Sequence, residues 1–381
     1  MFGHYRRALL CFKHNPNSIT AISTPFSILL RSFSTSSSDH KQQHSFTLNY
    51  LLNTFGFSPE TASKLSTRIR LETSHDPDSI LSLFKSHGFS DAQIRRIIQT
   101  YPYFLSYNAR KTILPKLTFL LSKGASTSDL VRIVTKNPRI LHFDLHNAIT
   151  PRYDFIKKFM LSDDSTLRSI KSCPSIIFSN TPLLNIQFLL HNDVPESKVV
   201  MLLRYWACSL VANAPTFQDA VREVMELGFR PNKTLFLVAL RAKLVRKSLW
   251  ERKVEVYRKW GWSEEILLST FLRNPWCMLV SEKKIEAMME FFITHLGLDS
   301  LCFAKHPVLI ALSLEKRVVP RASVLQFLLA KGLLKDVNWA SAFIVTDKIF
   351  LQKFVVSYEK EADQLLKLYE EKRDVPREER C

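Results

Sequence analysis

Three arginines, Arg96, Arg132 and Arg168, stand 36 residues apart each time. A second cationic series, Lys116, Arg152, Arg222 and Arg321, recurs 14 residues after a short apolar cluster that is usually led by proline. Guanidinium and ammonium groups bind phosphate through charge-assisted hydrogen bonds, and arginine does so with a planar fork. The densest basic stretch lies between 241 and 259, where Arg241, Lys243, Arg246, Lys247, Arg252, Lys253, Arg258 and Lys259 face only Glu251 and Glu255. Trp250, Trp260 and Trp262 interleave with them and Trp276 follows. Aromatic rings beside arginines can stack on exposed bases for ~1–3 kcal/mol each. The competing expectation, favoured for Trp250 and Trp260, is that they fill grooves between helices, where aromatics dominate packing.

Other chemistry has little support. His142 and His146 have the spacing of a helical metal pair, but there is no HExxH and no third ligand in sight. No GxGxxG or GxxxxGK[ST] occurs, and eight glycines leave little scope for phosphate loops. None of the six cysteines forms a CxxC pair, and Cys173, Cys208 and Cys277 lie in or beside the apolar clusters, where they read as small core hydrophobes. The residues therefore point to a binding protein rather than an enzyme, with no cofactor and no metal.

The cations are positioned by a repeat. Apolar clusters recur every 32 to 36 residues: YPYFL (Pro102), NPRIL (Pro138), CPSII (Pro174), ACSLV (Cys208 in place of proline), LRAKL near Ala242 (no proline), NPWCM (Pro275) and HPVLI (Pro307). A period in the thirties marks a solenoid of two-helix units, which presents one phase of the repeat along one surface. In 90–124, Ser90 and Gln93 form a capping-box pattern, and Ile94, Ile97 and Ile98 share a helical face. Pro102 ends that helix, and Phe104 and Leu105 form an apolar plug. A second helix is expected to start near Pro115, to bury Leu117, Leu120 and Leu121, and to end at Gly124. A second proline lies 13 residues after the first in three copies: Pro115, Pro151 and Pro320. On this reading Lys116, Arg152, Arg222 and Arg321 sit at the start of second helices, where backbone amides and the helix dipole also favour phosphate.

The phrases SHGFSDAQIRRIIQTYPYFL, LPKLTFLLSKGASTSDLVRIVTKNPRIL and SLEKRVVPRASVLQFLLAKGL resemble the mitochondrial transcription termination factor family, mTERF, over roughly 46 to 358, and its plant organellar branch most closely. The resemblance implies an all-α, curved helical-repeat solenoid of about 7–9 units, each two α-helices plus a short 3₁₀ turn. It also implies an organellar nucleic-acid-binding protein acting in gene expression. That role would be regulation or termination of transcription on double-stranded DNA, or RNA binding in intron splicing or ribosome assembly. The rival from a different class is a protein-binding scaffold. DNA and RNA remain open as targets, because both present phosphates and no base-reading code is legible.

Residues 1–33 are expected to be a mitochondrial transit peptide. Before Asp39 they carry Arg6, Arg7, Lys13 and Arg31, no acid, and apolar clusters such as Ile28-Leu29-Leu30. A chloroplast signal has a similar composition. Residues 34–45 read as a flexible linker, 46–358 as the repeat domain, and 359–381 as a charged, solvated helix and tail. The chain carries +18, or +14 without the four leader cations, which suits a polyanionic partner. No apolar run reaches 18 residues, so no membrane span is expected. The protein is expected to be a monomer in the mitochondrial matrix, with organellar expression-machinery proteins as further partners.

Overall fold

The computed structural model describes the backbone of residues 37–373 and side chains from 46. The expected transit peptide lies outside the described residues, as does the end of the tail. Helix begins at Ser37, inside the expected linker. The described residues contain α-, 3₁₀- and π-helices and no strand, which makes the fold an all-α helical repeat. Contacts divide the chain into two compact units, with the boundary between Asp219 and Ala220.

The unit ending at Asp219 contains α1 (Ser37–Phe55), α2 (Pro59–Ser66), α3 (His75–Ser86), α4 (Asp91–Thr100), α5 (Leu114–Ser122), α6 (Thr127–Lys136), α7 (Thr150–Met160), α8 (Asp163–Ser172), α9 (Thr181–His191) and α10 (Glu196–Tyr205). Helix α11 (Ala214–Glu226) runs across the boundary. The unit from Ala220 contains α12 (Thr234–Lys243), α13 (Lys247–Lys259), α14 (Glu264–Arg273), α15 (Glu282–Glu290), α16 (Leu301–Lys305), α17 (Val319–Ala330), α18 (Trp339–Ile344), α19 (Asp347–Leu351) and α20 (Ala362–Arg373).

Helix α4 follows its sequence closely. Ser90 accepts from the Gln93 amide while the Gln93 side chain accepts from the Ser90 amide. Ile94, Ile97 and Ile98 are buried. The chain then enters a 3₁₀ turn at Pro102–Ser106, whose Phe104 and Leu105 are fully buried. The same turn recurs at Pro138–Leu141, Pro174–Ile177, Ala207–Val211, Pro275–Met278 and Pro307–Ala311. The copy near Ala242 has none; its residues are the end of α12, which packs against the Pro275–Met278 turn directly.

The second proline has a different place from the one expected. In the first double-proline copy the second helix starts at Asn108, whose side chain accepts from the Lys111 amide. A π-turn at Ala109–Ile113 follows and continues into α5, so Pro115 lies inside a continuous helix. Asp144 with a π-turn at Leu145–Ile149 precedes Pro151, and Ser313 with a π-turn at Leu314–Val318 precedes Pro320. Proline has no amide hydrogen and its ring crowds the carbonyl four residues back. Widening the turn just before it relieves that clash, which accounts for the π-turn in all three copies.

Helix α20, expected to be solvated, instead packs along α17. Leu365 and Tyr369, one turn apart, are buried, and Tyr369 stacks against Phe350 at 5.9 Å between ring centroids.

Candidate nucleic-acid interface

The structure corrects the expected cationic stripe. Because the second helix begins near Asn108, Asp144 or Ser313, the residues at 116, 152 and 321 lie about two turns inside it, away from its open amides. Lys116 is buried, and its Nζ donates to the Leu141 carbonyl at 2.6 Å. Arg152 donates to the Phe178 carbonyl at 2.6 Å and to Asn180 Oδ1 at 3.1 Å. Arg321 is fully buried and donates to the carbonyls of Ala342, Phe343 and Val345 while pairing with Asp347. Arg222 is exposed on α11.

Lys116, Arg152 and Arg321 perform one task. Each reaches from a second helix to the C-terminal carbonyls of the next turn or short helix along the chain. Lys253 does so to Met278 at 2.7 Å, and Lys284 to Ala311 at 2.9 Å. Asn185 makes the neutral version, donating to Leu210 at 3.0 Å and Ala212 at 2.8 Å. The last carbonyls of a helix lack intrahelical partners and carry the negative end of its dipole. Buried between repeats, they must be paired. Burial lowers the Lys116 and Lys253 ammonium pKa values, against the raising charges of Asp144 and Glu282 respectively. Where the copy near Ala242 lacks a turn, buried Lys243 instead forms an ion pair with Glu223 and lies 4.9 Å from the Trp250 ring centroid.

The 241–259 segment is also largely neutralised in three dimensions. Lys243 and Lys253 are buried as described. Arg252 pairs with Glu282 at 3.0 Å, Arg258 with Glu264 at 2.8 Å and also with Glu255, and Lys259 with Glu286 at 3.6 Å. Lys247 lies 3.7 Å from Glu251. Arg246 is exposed and Arg241 half-buried. Glu282 and Glu286 arrive from α15, some 30 residues away, and so did not enter the local charge pattern. Trp250 is buried edge-on to Phe271 at 5.6 Å, and Trp262 is buried and stacked on Tyr257 at 4.6 Å, so both are packing residues.

His142 Nδ1 is hydrogen-bonded to the Tyr107 hydroxyl at 2.7 Å. Burial, then the Lys116 and Arg139 charges, lower its pKa. No cluster of three or more His, Cys, Asp or Glu side chains suited to a metal occurs among the described residues.

The remaining cationic series is the one first noticed. Arg96, Arg132 and Arg168 are exposed on α4, α6 and α8, first helices of consecutive repeats that pack side by side. Between α4 and α6 lies an open cleft lined by Gly88, Gln93, Arg96, Thr127, Ser128, Val131, Arg132, Thr135 and Lys136. It contains three cations and no carboxylate. Arg96 and Arg132 form no salt bridge among the described residues, whereas Arg168 pairs with Asp164 and Lys171 with Asp129 at 3.0 Å. Lys136 donates to the Ser172 carbonyl and, at 3.5 Å, to the Lys171 carbonyl, both at the end of α8. Thr135 Oγ1 is buried with no hydrogen-bond partner. Gly88 permits the close approach of α6: its φ is +81°, and a Cβ there would lie 2.7 Å from Thr127 Cγ2. With two arginine forks, an ammonium and several hydroxyls, the cleft can hold an anion; it contains no nucleophile paired with a base.

The sequence pattern of the mTERF family matches residues 81–305, more than half the chain and the segment that holds this cleft. The chain belongs to the mTERF family. Membership implies a nucleic-acid-binding, transcription-related role in an organelle. A comparison with curated proteins returned no match. No helix among the described residues is long and apolar enough to cross a membrane.

Proposed function

We propose that this mTERF protein binds a nucleic-acid backbone through the first-helix face of α4, α6 and α8, and regulates or terminates mitochondrial transcription on double-stranded DNA. The observation that carries this reading is the cleft between α4 and α6, where Arg96 and Arg132 face solvent without a carboxylate beside them. Phosphate contacts supply affinity and register, and few side chains reach bases. An RNA reading, in splicing or ribosome assembly, draws on Tyr103, an exposed ring with the Arg68 guanidinium 5.6 Å from its centroid. A stacked ring and cation of this kind suits an unpaired base.

The protein acts as a monomer in the matrix, delivered there by residues 1–33. Crosslinking in isolated mitochondria followed by sequencing of bound DNA and RNA tests the target. Recovery of discrete duplex sites is expected. Recovery of RNA alone replaces the transcription reading with the RNA one, and recovery of neither leaves the scaffold reading. A reporter fused to residues 1–33 should enter mitochondria; import into plastids alone overturns the localisation.

A further inference from the structure

Cys208 occupies the position that proline holds in most copies of the repeat, and it is exposed. The preceding turn begins at Cys173, which is buried immediately before Pro174. The two turns, Pro174–Ile177 and Ala207–Val211, pack on one another. Neither cysteine is in a disulfide, and Cys208 is near enough to Cys173 to raise that thiol's pKa. One replacement thus puts a solvent-reachable sulfur against a shielded one.

We propose that Cys173 and Cys208 form a dithiol site oxidised by hydroperoxides to a disulfide that staples consecutive repeats. Peroxide reaches the exposed sulfur first. The Cys208 thiol gives up its proton as its sulfur attacks a peroxide oxygen and the O–O bond breaks; the proton leaves with the other oxygen, as water from hydrogen peroxide or as the alcohol from an organic hydroperoxide, so that Cys208 becomes a sulfenic acid. The Cys173 sulfur then attacks Cys208 Sγ and the S–O bond breaks. The departing hydroxide takes up the Cys173 proton and leaves as water. Two electrons pass from the thiol pair to the peroxide, and no other reactant is needed.

The hydrogen bond to Cys208 and burial both raise the Cys173 pKa, and the Lys136 charge lowers it only in part. Thiolate is the attacking form, so oxidation accelerates as pH rises. The staple closes a loop from residue 173 to 208 and restricts the unfolded chain. Cys277 is a contrast: it is buried, its thiol is pushed up to about 12 mainly by burial, and no thiol partner is among the causes.

The test treats the full chain with hydrogen peroxide under native conditions and follows it by intact mass and tryptic peptide mapping. The expected result is loss of two hydrogen masses and one linked pair of peptides carrying Cys173 and Cys208. A thiol reductant should reverse it, and the oxidised form should melt at a higher temperature. Cys208→Ser should yield no link and no rise in melting temperature, and Cys173→Ser should leave Cys208 gaining oxygen mass instead. The proposal is overturned if wild-type Cys208 accumulates sulfinic acid without a link, or if the 173–208 link appears only after denaturation. These readouts are independent of nucleic-acid binding.

Discussion

Helices α4 and α6 in one unit, and α13 and α15 in the other, both carry exposed cations, but those cations meet different neighbours. Arg96 and Arg132 border a cleft with no carboxylate in its lining. Arg252 and Lys259 lie opposite Glu282 and Glu286 across the α13–α15 groove. Exposed ion pairs contribute little to stability, typically ~0–1 kcal/mol. They matter more for recognition, because a phosphate approaching α13 also meets fixed negative charge. The density of lysine and arginine along a chain is therefore a poor guide to a polyanion surface. What counts is whether a distant helix brings acids to the same place.

The largest expected effect concerns the cations that face neither solvent nor acid-rich groove. Arg321→Met should destabilise the C-terminal unit by about 3–5 kcal/mol, since each buried acceptor left unsatisfied costs ~1–3 kcal/mol. Three carbonyls and Asp347 lose their donor together. Denaturant unfolding followed by circular dichroism measures it, with Arg252→Ala, expected within about 1 kcal/mol, as the exposed comparison. Equal small losses in both variants would show that carbonyl capping between repeats is not a main support of the fold.

The second expectation divides the two basic surfaces directly. Arg96→Ala with Arg132→Ala should weaken binding to unrelated duplexes alike and make the salt slope shallower by about 1.8, for two B-DNA phosphates released at ~0.9 each. Helix content and melting should hardly change, since exposed substitutions usually stay within ~0.5 kcal/mol. Arg252→Ala with Lys259→Ala should leave the slope where it was. The reverse outcome would move the interface to α13.

A smaller effect sharpens the same contrast. Glu282→Gln with Glu286→Gln leaves Arg252 and Lys259 without their carboxylates. If acids from α15 are what mask this strip, the variant should acquire extra salt-sensitive affinity, its slope steepening by up to ~1.8. An unchanged slope would mean that the geometry of the strip, rather than its charge, keeps phosphate away.

These contrasts show why part of the molecule was legible in its sequence. Local patterns carried the repeat: the Ser90–Gln93 box, the isoleucines of α4, the proline-led turns and Gly124, whose φ is +92°. The roles of Lys116, Arg321 and Lys253 were not local, because the carbonyls they reach lie 21 to 25 residues further on. Phase alone cannot separate a cation that points outward from one that points into the next repeat. The π-turns before Pro115, Pro151 and Pro320 displaced the expected helix starts and hid that distinction. Arg96, Arg132 and Arg168 were visible by their period, yet nothing in the period favoured them over the buried series.

The smallest expected effect is a pH dependence on the first-helix face. The Lys171 hydrogen bond, opposed by burial and supported by the Ser126 bonds and the Lys171 charge, holds the Asp129 pKa below its ordinary 3.8. Below 3.8 the unfolded chain binds a proton at this carboxyl more readily than the folded one does. The stabilisation is therefore complete above 3.8 and is lost as pH falls through the lower folded value. Asp129→Asn keeps a side-chain oxygen for the Ser126 amide but removes the charge beside Lys171. At neutral pH it should lower stability by less than about 1 kcal/mol, because the pair is partly exposed. That difference should close progressively in acid, as wild-type Asp129 takes up its proton. A difference that persists through the whole acid range would assign the loss to the altered helix cap, and the Asp129–Lys171 charge pair would then contribute nothing to holding α6 against α8.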